Sequence, residues 1–229
     1  MNSTIVLVHG AWADGSGWRK VIPLLRDKGH TVRAAQIPLT SFAEDVKATR
    51  QAIARAKGSV TLVGHSYAGA VIGAAATGLD AVKSLVYITG YGPDEGETIV
   101  ELRSKHPAHA DTPQFVPDAD GLIWIQYEGI AKALAHDEKD EAELRLIEAT
   151  QKPIAVQSLL EPMPRPAWKE KPSWYLVCEA DRMASADTQR WMAARLKAKV
   201  TTLASGHMPL LSHPADVARI ILNAAEQTK

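Results

Sequence analysis

Ser66 stands in the run Gly64-His65-Ser66-Tyr67-Ala68, between the apolar stretch Ser59-Val63 and a series of small residues, Tyr67-Ala76. A serine hydroxyl is a poor nucleophile until a base reaches it, and a sharp strand-to-helix turn lifts it out of a sheet towards one. The spacing is that of G-x-S-x-G except that Ala68 closes it, followed by Gly69; one extra methyl is expected to fit. By itself the pentapeptide also reads as a helix cap. Its place between strand and helix is what marks Ser66 as a nucleophile. The same turn aims the Tyr67 N–H from the positive end of the following helix at a developing oxyanion. His9-Gly10-Ala11-Trp12 follows the first apolar run, and Gly10 lets the backbone bend so that the Ala11 N–H becomes a second donor. A turn in which Gly10 only relieves strain is the plainer alternative.

Eight histidines compete to be the base. Where a nucleophile sits on such a turn, the chain order is serine, acid, histidine, and His207 fits it, after the apolar run Lys199-Ala204 and Ser205-Gly206. His65 adjoins Ser66, but neighbouring side chains on a tight turn diverge, so packing is its expected role; His9 is expected to position the oxyanion loop. His106 and His109 are spaced i, i+3 with no third ligand in view, so no metal site is expected. His30, His136 and His213 read as surface or capping residues. The acid is expected at Asp181, which follows Ser173-Glu179 and can hold the His207 imidazole in its useful tautomer. Asp94 or Glu95 is the alternative, Asp187 reads as a helix start, and Glu179 faces the opposite side from Asp181.

These residues need a sheet to bring them together. Strand patterns fall at Thr4-His9, Thr31-Ile37, Ser59-Gly64, Val82-Thr89, Ser173-Glu179 and Lys199-Ala204, with helix patterns at Gly17-Lys28, Phe42-Lys57, Tyr67-Thr77, Ala186-Lys197 and Ala215-Glu226. The alternation predicts an α/β fold, a doubly wound, mostly parallel six-stranded sheet. One connection, residues 92–171, is too long for an ordinary loop and carries helical patterns at Leu122-Ala135 and Glu138-Thr150. It is expected to be an inserted helical cap on a core of residues 1–91 and 172–229. The prolines of Glu161-Pro162-Met163-Pro164-Arg165-Pro166 exclude regular helix there.

The 229 residues carry 26 basic and 26 acidic side chains and are 46% hydrophobic, which points away from nucleic-acid and membrane partners. The start has no basic n-region and only a short apolar run, so a cytoplasmic protein, monomeric or homodimeric, is expected. The lone Cys178 cannot form an internal disulfide and reads as a buried strand residue.

Together, Val6-Leu7-Val8-His9-Gly10-Ala11-Trp12, Val63-Gly64-His65-Ser66-Tyr67-Ala68-Gly69, Cys178-Glu179-Ala180-Asp181 and Gly206-His207-Met208 resemble the α/β-hydrolase superfamily, within it the branch of plant methylesterases and hydroxynitrile lyases. The resemblance implies the α/β-hydrolase fold, Ser66, Asp181 and His207 as a triad, and Ala11 and Tyr67 as oxyanion donors. The lyases resembling this chain carry a threonine where Gly10 stands and a lysine where Met208 stands. Both are missing, which favours hydrolysis over the lyase reaction. The superfamily's two N-terminal antiparallel strands are also missing, which implies a compact version.

The expected reaction is serine-catalysed cleavage of a small apolar ester through an acyl-enzyme, with no cofactor. Gly10, Trp12, Trp124, Tyr127 and Met208, with Tyr91, are the candidate pocket residues, although Trp124 and Tyr127 have helical spacing and equally suit packing within the cap. The competing readings are a C–C lyase and a slow-turnover ligand receptor.

Overall fold

The computed structural model describes residues 3–228; Met1, Asn2 and Lys229, which the expected core segments include, lie outside the described residues. Eight strands follow in chain order. They are β1 (Thr4–Val8), β2 (Thr31–Ala35), β3 (Val60–His65), β4 (Val82–Ile88), β5 (Leu122–Ile123), β6 (Ile154–Ala155), β7 (Ser173–Cys178) and β8 (Lys199–Leu203). Six form one parallel sheet in the order β2-β1-β3-β4-β7-β8, while β5 and β6 pair as a separate antiparallel ribbon. β1, β3 and β7 are buried at every position, as unbroken apolar runs covered on both faces must be. The edge strands β2 and β8 instead leave side chains in solvent.

The helices are α1 (Ile22–Arg26), α2 (Phe42–Ala54), α3 (Ala68–Ala75), α4 (Ile99–Arg103), α5 (Tyr127–Gly129), α6 (Glu141–Thr150), α7 (Gln157–Leu160), α8 (Ala186–Arg195), α9 (Pro209–Ser212) and α10 (Pro214–Gln227). α3 is buried along its whole length, which its composition of small residues with one valine and one isoleucine permits between sheet and neighbours. Ser41 caps α2 by accepting from the Glu44 N–H, and Ser185 caps α8 from the Thr188 N–H.

Two expected helices differ. Gly17-Lys28 is a 3₁₀ turn at Gly15–Trp18 followed by the short α1, because Gly15 and Gly17 are poor helix formers and the Asp14 carboxylate closes the turn on the Ser16 N–H. Leu122-Ala135 is not one helix. Its first two residues pair with β6, and only from Tyr127 does the chain coil, through α5 into a π-helical turn at Ile130–Leu134. Leu122, Ile123 and Ile125 lie close enough together to suit either spacing, and cross-strand pairing decides.

β1 lies between β2 and β3, so the connections leaving β1 (to β2) and β3 (to β4) run to opposite sides, and a crevice opens beyond the carboxyl ends of β1 and β3. Val8 is level with Gly64, and His65 with Ile88. The segments that leave these strands, Gly10-Ala11 and Ser66-Tyr67, are thereby neighbours although they are 56 positions apart.

Candidate active site

Ser66 occupies the left-handed region, φ 53°, directly after β3. Three backbone bonds hold it there: its N–H donates to Ile88, and its carbonyl accepts from Gly69 and from Tyr91, each at 3.0 Å. Such a φ costs a non-glycine residue about 1 kcal/mol or more, so the surroundings must enforce it. The turn is tight enough that a Cβ on Gly64 would come within 2.5 Å of the Ala68 carbonyl oxygen, and one on Gly69 within 2.5 Å of the Tyr91 oxygen. The closest approach after the serine therefore falls at Gly69, and the Ala68 methyl is simply buried.

His207 Nε2 lies 2.8 Å from Ser66 Oγ, and its Nδ1 lies 2.7 Å from Asp181 Oδ2. All three residues are buried. Asp181 is fixed on both oxygens: Oδ1 accepts from the Met183 and Ala184 N–H groups, and Oδ2 also accepts from Gln189 Nε2 at 2.9 Å. The loop bearing His207 is held equally firmly. Its carbonyl accepts from His65 Nε2 at 2.7 Å, and the Gly206 N–H donates to Asp137 Oδ2 at 2.8 Å. Burial, with the neighbouring His207, pushes His65 down to about 3, so it is a neutral donor. The arrangement can strip a proton from Ser66 and support the resulting imidazolium.

Ala11 and Tyr67 supply backbone N–H groups with no acceptor among the described residues, and both line the cavity that holds Ser66 and His207. Each has a built support. His9 binds the Gly10 carbonyl through Nδ1 and the Ile37 N–H through Nε2, and burial lowers it to about 4, so its ring stays neutral. The Tyr67 hydroxyl donates to Asp45 Oδ2 at 2.6 Å, and Asp45 Oδ1 accepts from the Leu39 N–H. Burial outweighs these bonds and raises Asp45 to about 6. A Cβ on Gly10 would sit 3.0 Å from Ser66 Cβ and 3.1 Å from His65 Nδ1, so this glycine gives Ser66 its room.

The cavity beside Ser66 measures about 20 Å³ and is walled by Trp12, Tyr91, Ile99, Phe115 and Arg103 among others. A second cavity of about 150 Å³ lies across Ala11 and Trp12 and includes Met208. The Trp12 indole N–H donates to the Ile123 carbonyl, joining the loop after β1 to segment 92–171. Two expected pocket residues stand elsewhere. Trp124 is 46% exposed and donates to Asp118, and Tyr127 lies beneath the Arg145 guanidinium, because Leu122–Ile123 is strand and turns both rings away from the cavity. Asp94, one of the two alternative acids, is engaged with Lys169 and Arg195, and Glu179, expected to face the other way, is engaged with Arg190. Among the described residues no group of three or more His, Cys, Asp or Glu side chains could hold a metal ion. Cys178 is buried in β7, where burial pushes its thiol far up and its sulfur accepts from Ser205 Oγ.

Asp137, Gln189, Asp45 and Arg103 belong to this site without a sequence signal. Gln189 reaches Asp181 from the helix that follows it, the others come from separate segments, and only the fold reveals the meeting.

Comparison with known proteins gives the following. The alpha/beta hydrolase family matches residues 5–220. The alpha/beta hydrolase nvfD of Aspergillus novofumigatus is 28% identical over 248 residues, covering 98% of this chain and 97% of its own. Methylesterase 2 of Arabidopsis thaliana is 26% identical over 239 residues, covering 91% and 90% respectively. Among solved structures, polyneuridine aldehyde esterase superposes with a TM-score of 0.85 at 21% identity, covering 98% of this chain and 100% of that one.

Proposed function

This chain belongs to the alpha/beta hydrolase family, and we propose that it hydrolyses small carboxylic esters through an acyl-enzyme on Ser66. The observation that carries this reading is the continuous hydrogen-bonded series Ser66 Oγ, His207, Asp181, with two free N–H groups beside it. His207 Nε2 takes the Oγ proton as Ser66 attacks the ester carbonyl, while Asp181 holds Nδ1–H and stabilises the imidazolium. The Ala11 and Tyr67 N–H groups receive the oxyanion; losing one such donor typically costs a hundred- to a thousandfold in turnover. The tetrahedral intermediate collapses, and His207 returns the proton to the departing alkoxide. A water, deprotonated in turn by His207, attacks the acyl-serine and releases the acid and free Ser66.

Residues 92–171 act as the cap that closes this site, since Trp12, on the oxyanion loop, is bonded to Ile123 within them. The walls around Ser66 are chiefly apolar, which suits a hydrocarbon body next to the reacting carbonyl. Relatives named as esterases support the reaction class. Cyanohydrin cleavage is disfavoured because a threonine at position 10 would crowd Ser66 and Met208 brings no charge.

Mass spectrometry after fluorophosphonate treatment, together with p-nitrophenyl acetate hydrolysis, tests the reading. A single adduct on Ser66 is expected, and Asp181→Asn lowers kcat by roughly 10⁴ while leaving the fold intact. No adduct and no ester turnover would sink it, and mandelonitrile cleaved faster than any ester would replace it with the lyase.

A further inference from the structure

Helix α4 ends in a cation, Arg103, that no carboxylate among the described residues neutralises. Ile99 and Arg103, four residues apart, both line the cavity that holds Ser66 and His207, so one helix face presents an apolar contact and a guanidinium to the same space. α4 is set in place by a capping box between Thr98 and Glu101. The Arg103 guanidinium carbon lies 3.5 Å from the Phe115 ring centroid, and Phe115 is packed edge-on to Trp12 at 4.8 Å. One face of the guanidinium is thus occupied, and Tyr91 lines the same cavity beside it.

No carboxylate oxygen lies within 4.0 Å of Arg103 among the described residues. The other arginines either pair with a carboxylate, as Arg182 does with Asp111 and Arg195 with Glu97, or lie exposed, as Arg26, Arg33, Arg50 and Arg55 do. Arg103 is half-buried, and this burial makes its charge costly, lowering its proton affinity from the ordinary value. A sunken cation without a counter-ion is unfavourable until an anion arrives.

We propose that Arg103 is the anion-binding end of the substrate pocket, and that the esters cleaved here also carry an ionised carboxylate, as half-esters of dicarboxylic acids or esters of hydroxy acids do. The inference rests on the esterase reading and deepens it. A carboxylate is the planar partner that a guanidinium grips through two parallel N–H bonds while its face stays on an aromatic ring. The Tyr91 hydroxyl can donate a further bond. Apolar walls between Arg103 and Ser66 then receive the hydrocarbon that separates the carboxylate from the ester, so the expectation of a wholly apolar substrate changes at one end only.

Two matched pairs test the two ways such a substrate can be built. The acyl pair is p-nitrophenyl hemiglutarate against p-nitrophenyl valerate, and the alcohol pair is 3-acetoxypropionate against butyl acetate. In at least one pair the charged ester is expected to have the higher kcat/KM, by about tenfold or more. Arg103→Gln should abolish that ratio and Arg103→Lys should keep part of it, since lysine retains the charge but not the fork. A parent protein without preference in either pair overturns the proposal, as does a preference that survives in Arg103→Gln.

Calorimetric binding of glutarate against valerate to Ser66→Ala protein, with and without Arg103→Gln, reads the subsite without turnover. If no ester were cleaved and Ser66 took no label, the esterase reading would fall. Glutarate binding that depends on Arg103 would still stand as a separate result, and its absence in the parent background would refute the subsite as well.

Discussion

Gly10→Ala adds a single methyl group directly against Ser66 and His65. That carbon would lie 3.0 Å from Ser66 Cβ, 3.1 Å from His65 Nδ1 and 3.1 Å from the His65 carbonyl oxygen. Carbon atoms settle at about 3.5–4.0 Å, so roughly 0.5 Å or more of separation must be found. His65 cannot supply it freely, because its Nε2 is bonded to the His207 carbonyl and would drag the base with it. Ser66 is held by three backbone bonds. The Gly10-Ala11 segment is left to retreat, carrying the Ala11 N–H away from the oxyanion. A bond of about 2.9 Å lengthened to about 3.4 Å is largely lost, and one lost donor costs about 10²–10³ in kcat. With partial relaxation, kcat should fall roughly 10- to 100-fold on p-nitrophenyl acetate with KM changed no more than a few-fold, because the donor acts chiefly on the transition state. Overpacking should also cost about 1–3 kcal/mol in urea unfolding. A kcat within twofold of the parent would refute this account of the oxyanion loop.

Two further predictions concern pH. Asp45, raised by burial to about 6 from 3.8, binds its proton more tightly folded than unfolded, so its contribution to stability is present at low pH and lost as pH rises from about 4 through 6. At pH 8 that loss is on the order of 3 kcal/mol, so Asp45→Asn, which can still accept from the Leu39 N–H, should be about 1–3 kcal/mol more stable than the parent there and match it near pH 4. Urea unfolding at both pH values checks this, and an asparagine variant less stable at pH 8 would contradict it. His9 and His65 act in the opposite sense. Lowered by burial to about 4 and about 3 from 6.5, they bind protons when unfolded but not when folded, so stability is complete above about pH 6.5 and drains away as pH falls towards 4. Their combined effect exceeds that of Asp45, and the urea midpoint should drop steeply between pH 6.5 and 4.5; a flat profile would show that the rings are solvated.

The sheet was legible because strands covered on both faces must be apolar throughout, and Ile5-Val8 or Leu62-Val63 have no other use for such a run. Ser66, Asp181 and His207 were legible because each follows such a run, and the fold brings them within hydrogen-bonding reach. What could not be read depends on side chains meeting across the chain. Asp137 supports the loop of His207 from 69 positions away, and Arg103 acquires its meaning only from carboxylates that are not near it. Trp124 and Tyr127 were candidates as aromatic residues of the cap, while their spacing of three equally suited packing along a helix face; pairing between β5 and β6 removed the helix on which that packing depended. The Ala68 departure was legible, and its methyl was expected to fit, but the reason it fits was not. Only the packing of Gly69 against Tyr91 shows where the turn needs its missing side chain.

The left-handed backbone at Ser66 sets reactivity against durability at a single position. Glycine would rest there without strain, so a serine that serves as the proposed nucleophile is kept at this position against the preference of its own backbone. Selection for heat resistance alone would therefore drift towards losing it, and a programme to toughen this protein must screen for turnover at every round.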